Sequence, residues 1–189
     1  MKKENKKFRA VRENDGKWTF EHIRIGMKNF SGKESMYNKP GNRNFCIFFD
    51  DGAEDVAREM EKDLGRNGDQ WNIKWTKEDE DGDRVAYLQC NLNVDTRFPP
   101  TVWLIPDNDM SRHTVITKEN QSILDTFDWI DIVDNCVDIT VRPYDWQFRD
   151  QPDRHGRKCM VDQLYVVYHM SELEAKYSGR PETDESIPF

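Results

Sequence analysis

The chain of 189 residues carries 28 basic and 36 acidic residues, which gives a formal net charge of −8, and it is 36% hydrophobic and 12% aromatic. This length allows one domain, or one domain with a tail, and excludes a large multidomain enzyme. We expect a soluble protein without a signal peptide, because no apolar run reaches the roughly 18–20 residues of a membrane span and none follows the basic start.

The first part of the chain predicts an arm followed by two strands. Residues 1–16 are basic, polar and without periodicity, which favours a flexible arm. Alternation over 18–27 predicts a strand with one apolar and one solvated face. A polar loop over 29–44 leads to an apolar run over 45–49, which predicts a buried strand. The solvated face of the first strand would carry Trp18, Phe20, His22 and Arg24.

The middle of the chain predicts a short helix and two strands. Apolar residues at helical spacing favour a helix over 53–64, with Gly65 suited to end it. A strand over 71–75, an acidic turn over 78–83 and a strand over 85–94 follow. The last strand would point Leu88, Cys90, Leu92 and Val94 inward, and Tyr87, Gln89, Asn91 and Asn93 outward.

The remainder predicts further strands, two helices and a tail. Residues 178–189 are polar, acidic and contain Pro, which favours a disordered tail. Many strands with turn signals and no βαβ rhythm predict a mainly β fold, a small antiparallel barrel or sandwich with helical insertions. The strands are expected at 101–105, 136–148 and 158–170, and the helices at 118–127, after a Thr117 cap, and at 172–177.

Cysteines and histidines are scattered along the chain, four of each. No CxxC or CxxH spacing occurs, so we expect reduced core cysteines rather than disulfides or zinc ligands. Motifs of the HExxH, GxSxG, Walker and GxGxxG types are missing from the sequence. The sequence therefore predicts no catalytic site, no metal and no cofactor.

Charge is segregated along the chain. Acids concentrate in 50–63, 78–83 and 125–138, whereas the stretch 24–43 contains Glu34 as its single acid. Unpaired nucleic acid needs cations for its phosphates and flat rings for its bases, and this stretch interleaves both. The sequence therefore predicts nucleic-acid contacts here, from Arg24, Lys28, Phe30, Lys33, Tyr37, Lys39 and Arg43.

Two later strands would complete a stacking platform if their outward faces converge. The residues expected there are Tyr87, Gln89 and Asn91 from one strand, and Arg142, Tyr144 and Trp146 from another. As the alternative, some rings cover a second hydrophobic core, and the residues to which this applies are Trp18, Phe20 and Phe148, and also Tyr37, Tyr87 and Trp146. Packing is the expected role of Trp71, Trp75, Trp103 and Trp129.

The C-terminal residues 183–189 read Thr-Asp-Glu-Ser-Ile-Pro-Phe. They closely resemble the acidic tip of bacterial single-stranded-DNA-binding proteins, in which a flexible tail ends in acidic residues followed by Ile-Pro-Phe. The resemblance implies that the tip docks on other proteins. Its Phe ring would enter an apolar pocket of the partner, its terminal carboxylate would bind an Arg, and its acidic residues would attract the basic rim of that pocket. The residues concerned are Asp184, Glu185, Ile187, Pro188 and Phe189. The alternative is an uninvolved solubilising tail.

The body resembles a family of tailed-phage and prophage single-stranded-DNA-binding proteins over residues 23–177. The resemblance implies an OB-type antiparallel five-stranded barrel with helical and hairpin insertions, spanning 17–177. The motifs that carry it are Ile-Gly-Met-Lys-Asn-Phe-Ser-Gly-Lys-Glu at 25–34, Gly-Asn-Arg-Asn-Phe-Cys at 41–46, Trp-Asn-Ile-Lys at 71–74, Phe-Pro-Pro at 98–100, Val-Arg-Pro-Tyr-Asp-Trp at 141–146 and Glu-Leu-Glu-Ala-Lys-Tyr at 172–177.

The two resemblances together imply a non-enzymatic phage protein that acts in the cytoplasm of a bacterial host. It would coat single-stranded DNA without marked sequence preference during replication or recombination, and recruit replication proteins through its tip. The implied partners are single-stranded DNA and those proteins, but no membrane, and association with a second copy of the chain is left open. Three alternatives stay open, namely an RNA-binding OB module, an adaptor whose body binds no nucleic acid, and a nuclease whose acid clusters hold Mg²⁺.

Overall fold

The computed structural model describes residues 7–36, 38–50 and 52–170, apart from the side chains of Asp134 and Asn135. The predicted helix over 172–177 and the predicted tail lie outside these residues. The strands are β1 (Arg9–Arg12), β2 (Trp18–Asn29), β3 (Arg43–Phe49), β4 (Ile73–Trp75), β5 (Ala86–Leu92), β6 (Thr101–Pro106), β7 (Thr114–Ile116), β8 (Ile132–Gln147) and β9 (His155–Tyr168). The helices are α1 (Glu54–Lys62) and two 3-10 helices, η1 (Met110–Arg112) and η2 (Gln121–Thr126).

Five strands, β2, β3, β5, β8 and β9, close into a barrel. Strand β2 pairs antiparallel with β3 and β8, β3 pairs with β5, and β8 pairs with β9. The barrel closes where β5 runs parallel to β9, with Cys90 opposite Cys159 and Asn91 opposite Met160. This closed five-stranded barrel confirms the OB-type fold expected from the sequence. We call the β5–β9 pairing the closing seam.

The interior of the barrel is filled by one apolar cluster. Every residue of β3 after Arg43 is buried, which explains why the strand is apolar from Phe45 to Phe49 and does not alternate there. Helix α1 covers part of the cluster with Ala57 and Met60. The fully or almost fully buried side chains include Phe20, Phe30, Phe45, Leu88, Leu92, Ile139 and Leu164.

Strand β2 does not alternate as the sequence predicts. The register against β8 shifts between Phe20 and Ile23, and His22 within this interval has a positive φ of 58°. An extra residue of this kind moves the following side chains to the opposite face. Trp18, Phe20 and Ile23 are therefore all buried, at 2%, 0% and 1% exposure. The prediction of a solvated face carrying Trp18 and Phe20 is wrong.

The N-terminal segment also differs from its prediction. Residues 9–12 form β1, which pairs antiparallel with β2 and places Ala10 opposite Phe20. Phe8 adds a ring stacked 6.3 Å from the ring of Phe20, measured between centroids. The flexible arm expected over 1–16 therefore does not extend over 9–12, because these two apolar side chains attach that part to the core.

The helix predicted over 118–127 is shorter and of the 3-10 type. The Asn120 side chain accepts a hydrogen bond from the Thr117 amide at 2.6 Å and donates one to the Val115 carbonyl at 2.9 Å. These bonds form a turn where the sequence predicts the first helical turn, so Thr117 does not act as the cap. The following η2 buries Leu124, and Phe127 is buried directly after it.

Three of the cysteines, Cys46, Cys90 and Cys159, are buried as the sequence predicts. Burial raises the pKa of the Cys46 thiol to about 11. The Sγ atoms of Cys90 and Cys159 lie 3.5 Å apart at the closing seam, and burial keeps the pKa of Cys90 well above its usual range. The Cys46 and Cys90 thiols therefore stay protonated at neutral pH, and all three buried side chains pack as small apolar groups. Within the described ranges, no helix is long and apolar enough to cross a membrane.

Candidate nucleic-acid interface

A groove of about 510 Å³ lies beside the closing seam. Its walls come from the start of β3, the end of β5 with the loop that follows, and the neighbouring parts of β8 and β9. The seam brings these segments together, because Asn91 and Met160 are register partners across it and both line the groove. The Asn91 side chain also donates a hydrogen bond to the Cys159 carbonyl at 3.0 Å. The groove therefore exists only in the closed barrel.

The groove is basic although the chain as a whole is acidic. Four cations line it, and none of its described lining residues is acidic. Arg97 and Lys158 form no ion pair with any residue that the structure describes, so their charges face the groove uncompensated. A concave surface with one sign of charge raises the local concentration of a polyanion. The four cations are Arg43, Arg97, Arg142 and Lys158.

Two aromatic side chains in the groove are exposed. Phe98 is 73% exposed and Tyr144 is 51% exposed. The Arg97 guanidinium lies 5.2 Å from the centre of the Phe98 ring, so a cation and a flat ring are presented together. Exposed rings beside cations are the elements that bind unpaired bases and their phosphates.

Strands β8 and β9 place Tyr144 by ordinary cross-strand pairing. Tyr144 is the register partner of Lys158, and Arg142 is the partner of Met160, so the four side chains form two neighbouring pairs at the groove. The register shifts between Thr140 and Val141, next to this segment. That irregularity sets which residues of β8 face the groove.

A partly buried ion pair anchors this hairpin. Arg157 donates from Nε to Asp145 Oδ1 at 2.7 Å and from Nη1 to the Asp63 carbonyl at 2.9 Å. The Arg66 amide donates to Asp145 Oδ2 at 3.0 Å. The hydrogen bond from Arg157 lowers the pKa of the Asp145 carboxyl, which therefore stays ionised. The loop after α1 thus fixes the orientation of the strands that carry Tyr144.

Trp146 lies further along the same hairpin, outside the groove. Its ring packs on Gly156, where an added Cβ would approach the indole to 2.9 Å. Phe148 meets the indole edge-on at 5.5 Å between centroids, and the Arg154 guanidinium lies 4.7 Å from the Phe148 ring. Part of the Trp146 surface is therefore covered by its neighbours.

Among the sequence-predicted site residues, the structure brings a subset to the groove. Arg43, Asn91, Arg142 and Tyr144 line it together. The Arg43 guanidinium donates to the Phe30 carbonyl and, at 2.7 Å, to Asp125, so its charge is partly compensated. Arg142 lies 3.7 Å from Asp162, a looser pair.

Other predicted residues lie on a different surface of the barrel. Arg24 forms a two-point ion pair with Asp50 and covers the Phe48 ring at 4.0 Å. Tyr87 stacks on the same Phe48 ring, with 5.8 Å between the two ring centres. Gln89 is exposed on the same strand as Tyr87. None of these three predicted contacts lines the groove.

The loop between β2 and β3 carries the remaining predicted cations. Lys28 donates to the Ile130 carbonyl at 2.8 Å, and burial lowers the pKa of its ammonium group. Lys33 and Lys39 are exposed and form no ion pair within the described part of the chain. Tyr37 lies outside the described residues.

Phe30 is not available to a base, contrary to the sequence prediction. Its side chain is 0% exposed and lies against Phe45 and Phe127, at 5.2 Å and 6.2 Å between ring centroids. Although its neighbours in sequence are polar, the loop returns toward the barrel at this position, because the Phe30 and Ser31 amides donate to the Asp128 carboxylate. Phe30 is a core residue.

Sequence reasoning missed Arg97, Phe98 and Lys158. The adjacent Arg97 and Phe98 carry the same pattern of cation beside ring that marked residues 24–43, and they precede two prolines that favour an extended loop. Lys158 has no such local signal, because only its pairing with Tyr144 brings it to the groove. Within the described ranges, no three His, Cys, Asp or Glu side chains gather in a way that could hold a metal ion.

Comparison with solved structures finds single-stranded DNA-binding proteins of bacteriophage Enc34. The C-terminally truncated form is 10% identical with a TM-score of 0.46, and the form in complex with ssDNA is 8% identical with a TM-score of 0.47; each alignment covers 88% of this chain and 94% of the other. A third structure is 10% identical with a TM-score of 0.43 and 97% coverage of both chains. No curated protein matches the chain.

Comparison with family models gives a match over almost the whole chain. The model described as "Putative phage ssDNA-binding domain" matches residues 8–188. The match includes all nine strands and every residue of the groove. The chain therefore belongs to the phage ssDNA-binding domain family.

Proposed function

We propose that the groove binds single-stranded DNA without marked sequence preference. The observation that carries this proposal is the gathering of four cations and two exposed rings in one groove whose described lining has no acid. Membership of the ssDNA-binding domain family supports the choice of ligand. Phosphates and the flat faces of bases are common to every sequence, so contacts of this type do not discriminate between bases.

Each lining residue has a role that follows from its chemistry. Arg97 and Lys158 contact phosphates most strongly, because no described carboxylate compensates their charge. Arg43 and Arg142 add weaker contacts, since Asp125 and Asp162 lie near their guanidinium groups. Bases stack on Phe98 and Tyr144, the exposed rings. A DNA strand that extends beyond the groove has further proposed contacts, namely Lys39, Tyr87, Gln89 and Trp146.

Salt dependence of binding tests this assignment. For the wild-type protein we expect binding of a labelled poly-dT oligomer of about 30 nucleotides, followed by fluorescence anisotropy, with a slope of log K against log salt near −3, since each neutralised phosphate contributes about −0.7. Replacing Lys158 or Arg97 by alanine lowers the magnitude of this slope by about 0.7. The control is Lys62→Ala, at the end of α1, which leaves the slope unchanged. Slopes that stay the same in all three variants contradict the assignment.

Two alternatives give different results in the same titration. An RNA-binding module binds poly-rU at least as tightly as poly-dT, because it uses the 2′-hydroxyl, whereas the groove has no specific need for one. An adaptor without nucleic-acid affinity shows no change in anisotropy with either labelled polymer at low salt. Tight binding of poly-dT with weaker binding of poly-rU supports the proposal.

We further propose that the protein coats DNA exposed during phage replication or recombination in the bacterial host, and that its last residues recruit replication proteins. Support comes from the sequence of the tip, which offers two acids, a proline and the ring of Phe189. The recruiting residues are Asp184, Glu185, Ile187, Pro188 and Phe189, which lie outside the described residues.

A substitution at the last residue separates recruitment from DNA binding. We expect Phe189→Ala to bind poly-dT as the wild type does, and to lose retention of purified host replication proteins on protein-coated DNA, because the apolar pocket of a partner loses its ring. Retention is measured by pull-down on immobilised poly-dT. The matched control is Glu182→Ala, upstream of the tip. Equal retention by Phe189→Ala and the wild type contradicts the recruiting role.

A further inference from the structure

Trp129 is held in an exposed position by hydrogen bonds on both sides. Its side chain is 82% exposed, although tryptophan usually buries most of its surface. The preceding Asp128 carboxylate accepts hydrogen bonds from the Ser31 hydroxyl and the Phe30 amide. The following Ile130 carbonyl accepts one from Lys28 Nζ at 2.8 Å. These bonds fix the residues on both sides of Trp129.

A cation lies beside this indole. The Lys33 ammonium is 5.5 Å from the centre of the Trp129 ring and forms no ion pair with any residue the structure describes. The backbone of Lys33 is fixed by Asn29, whose Oδ1 accepts from the Lys33 amide at 2.9 Å, and by Asn38, whose Nδ2 donates to the Lys33 carbonyl at 2.9 Å. The ring and the charge are therefore positioned together, as a base and its phosphate require.

Arg43 links this position to the groove. Its guanidinium lines the groove and donates to the Phe30 carbonyl and to Asp125. Phe30 also binds Asp128, the neighbour of Trp129, through its amide. The edge of the groove and the turn that carries Trp129 thus share one hydrogen-bonded frame.

The acids near the indole decide which interaction dominates there. Asp125 and Asp128 are engaged by Arg43 and Ser31, whereas Glu34 and Asp131 are exposed. Three cations, Lys28, Lys33 and Arg43, stand against these four acids, a formal balance of −1 for this set, so we expect stacking to contribute more than phosphate attraction.

We propose that Trp129 and Lys33 form a second base-stacking site for the same strand of DNA, outside the groove. The inference rests on the proposed function of the groove and deepens it. The occupant is an unpaired base, because the exposed face of an indole stacks on bases that are free of a duplex partner. The packing role expected for Trp129 from the sequence is thus replaced by a binding role.

Oligonucleotides of two lengths test the second site. A poly-dT oligomer of about 5 nucleotides reaches the groove alone, and one of about 20 nucleotides reaches both sites at a site size typical of an OB fold. We expect Trp129→Ala to weaken binding of the long oligomer by about fivefold to a hundredfold and to leave the short one unchanged. Trp129→Phe recovers most of the loss because it keeps a ring. The control is Leu64→Ala, which removes another exposed apolar side chain, 57% exposed.

The outcomes distinguish this inference from the function on which it rests. If the wild type binds neither oligomer at low salt, the groove has no affinity for DNA and both proposals fall. If the wild type binds both and Trp129→Ala matches it at both lengths, the groove stands and the second site is overturned, which leaves protein docking for Trp129. An equal loss at both lengths also overturns it, because Trp129 then acts through the groove or the fold.

Discussion

Replacement of both Phe98 and Tyr144 by alanine lowers the affinity for poly-dT by about thirtyfold or more. Each stacked ring contributes about 1–3 kcal/mol, and about 1.4 kcal/mol corresponds to a factor of ten. Both rings are exposed, at 73% and 51%, so their loss leaves no cavity in the core. The measurement is fluorescence anisotropy of a labelled oligomer, with urea unfolding to show that the stability is unchanged.

Conservative and distant substitutions make this result specific. Tyr144→Phe keeps most of the affinity, because stacking needs the ring and not the hydroxyl group. The matched control is the double substitution Val11→Ala and Leu64→Ala, which removes two exposed apolar side chains outside the groove and leaves the affinity unchanged. A folded Phe98→Ala and Tyr144→Ala double variant with wild-type affinity contradicts the proposed interface and supports the adaptor.

Phe30→Ala lowers the free energy of unfolding by about 3–5 kcal/mol, the usual range for removing a buried ring. The side chain is 0% exposed and packs against Phe45 and Phe127. Because this loss is a large part of the stability of a domain, the informative variant is Phe30→Leu, which keeps much of the volume. We expect Phe30→Leu to be mildly destabilised in urea and to bind poly-dT with wild-type affinity.

Phe98→Leu is the matched opposite of Phe30→Leu. It exchanges the same two side chains at a position that is 73% exposed, so the stability stays the same and the affinity for poly-dT falls. Comparison of the two variants distinguishes a ring that stabilises the core, whose loss lowers the free energy of unfolding, from a ring that binds DNA, whose loss lowers the affinity. If folded Phe30→Leu loses as much affinity as Phe98→Leu, the base-stacking role that the sequence predicts for Phe30 is restored.

Much of the barrel could be predicted because its strands follow local rules. Alternation in β5 assigns both faces correctly, with Leu88, Cys90 and Leu92 buried, and the apolar run of β3 predicts a strand buried on both sides. The helix α1 follows from its spacing of apolar residues. These signals lie within a few residues of one another, so a single sequence contains them.

The rest depends on features that no local pattern reports. The irregularity at His22 puts Ile23 on the same buried face as Trp18 and Phe20, although simple alternation of β2 predicts opposite faces for them. The groove needs Asn91 beside Met160, a pairing between distant parts of the chain. Four residues predicted from the sequence line the groove, namely Arg43, Asn91, Arg142 and Tyr144. Lys158 lies there because β9 pairs with β8, which places it opposite Tyr144. For the cations on the β2–β3 loop, charge alone could not separate those held by carbonyls and carboxylates from those facing solvent.

The closing seam has a thermodynamic consequence. Its ladder has only two register pairs, Cys90 with Cys159 and Asn91 with Met160, and the groove has walls on both strands. If the seam opens, Arg97 and Phe98 on one side separate from Tyr144 and Lys158 on the other, so an open barrel offers only half of the site. A ligand that binds only the closed state stabilises it by mass action, by about 2.7 kcal/mol at a concentration one hundred times its Kd. Ligand binding and the completion of the barrel are therefore linked equilibria, in which each strengthens the other.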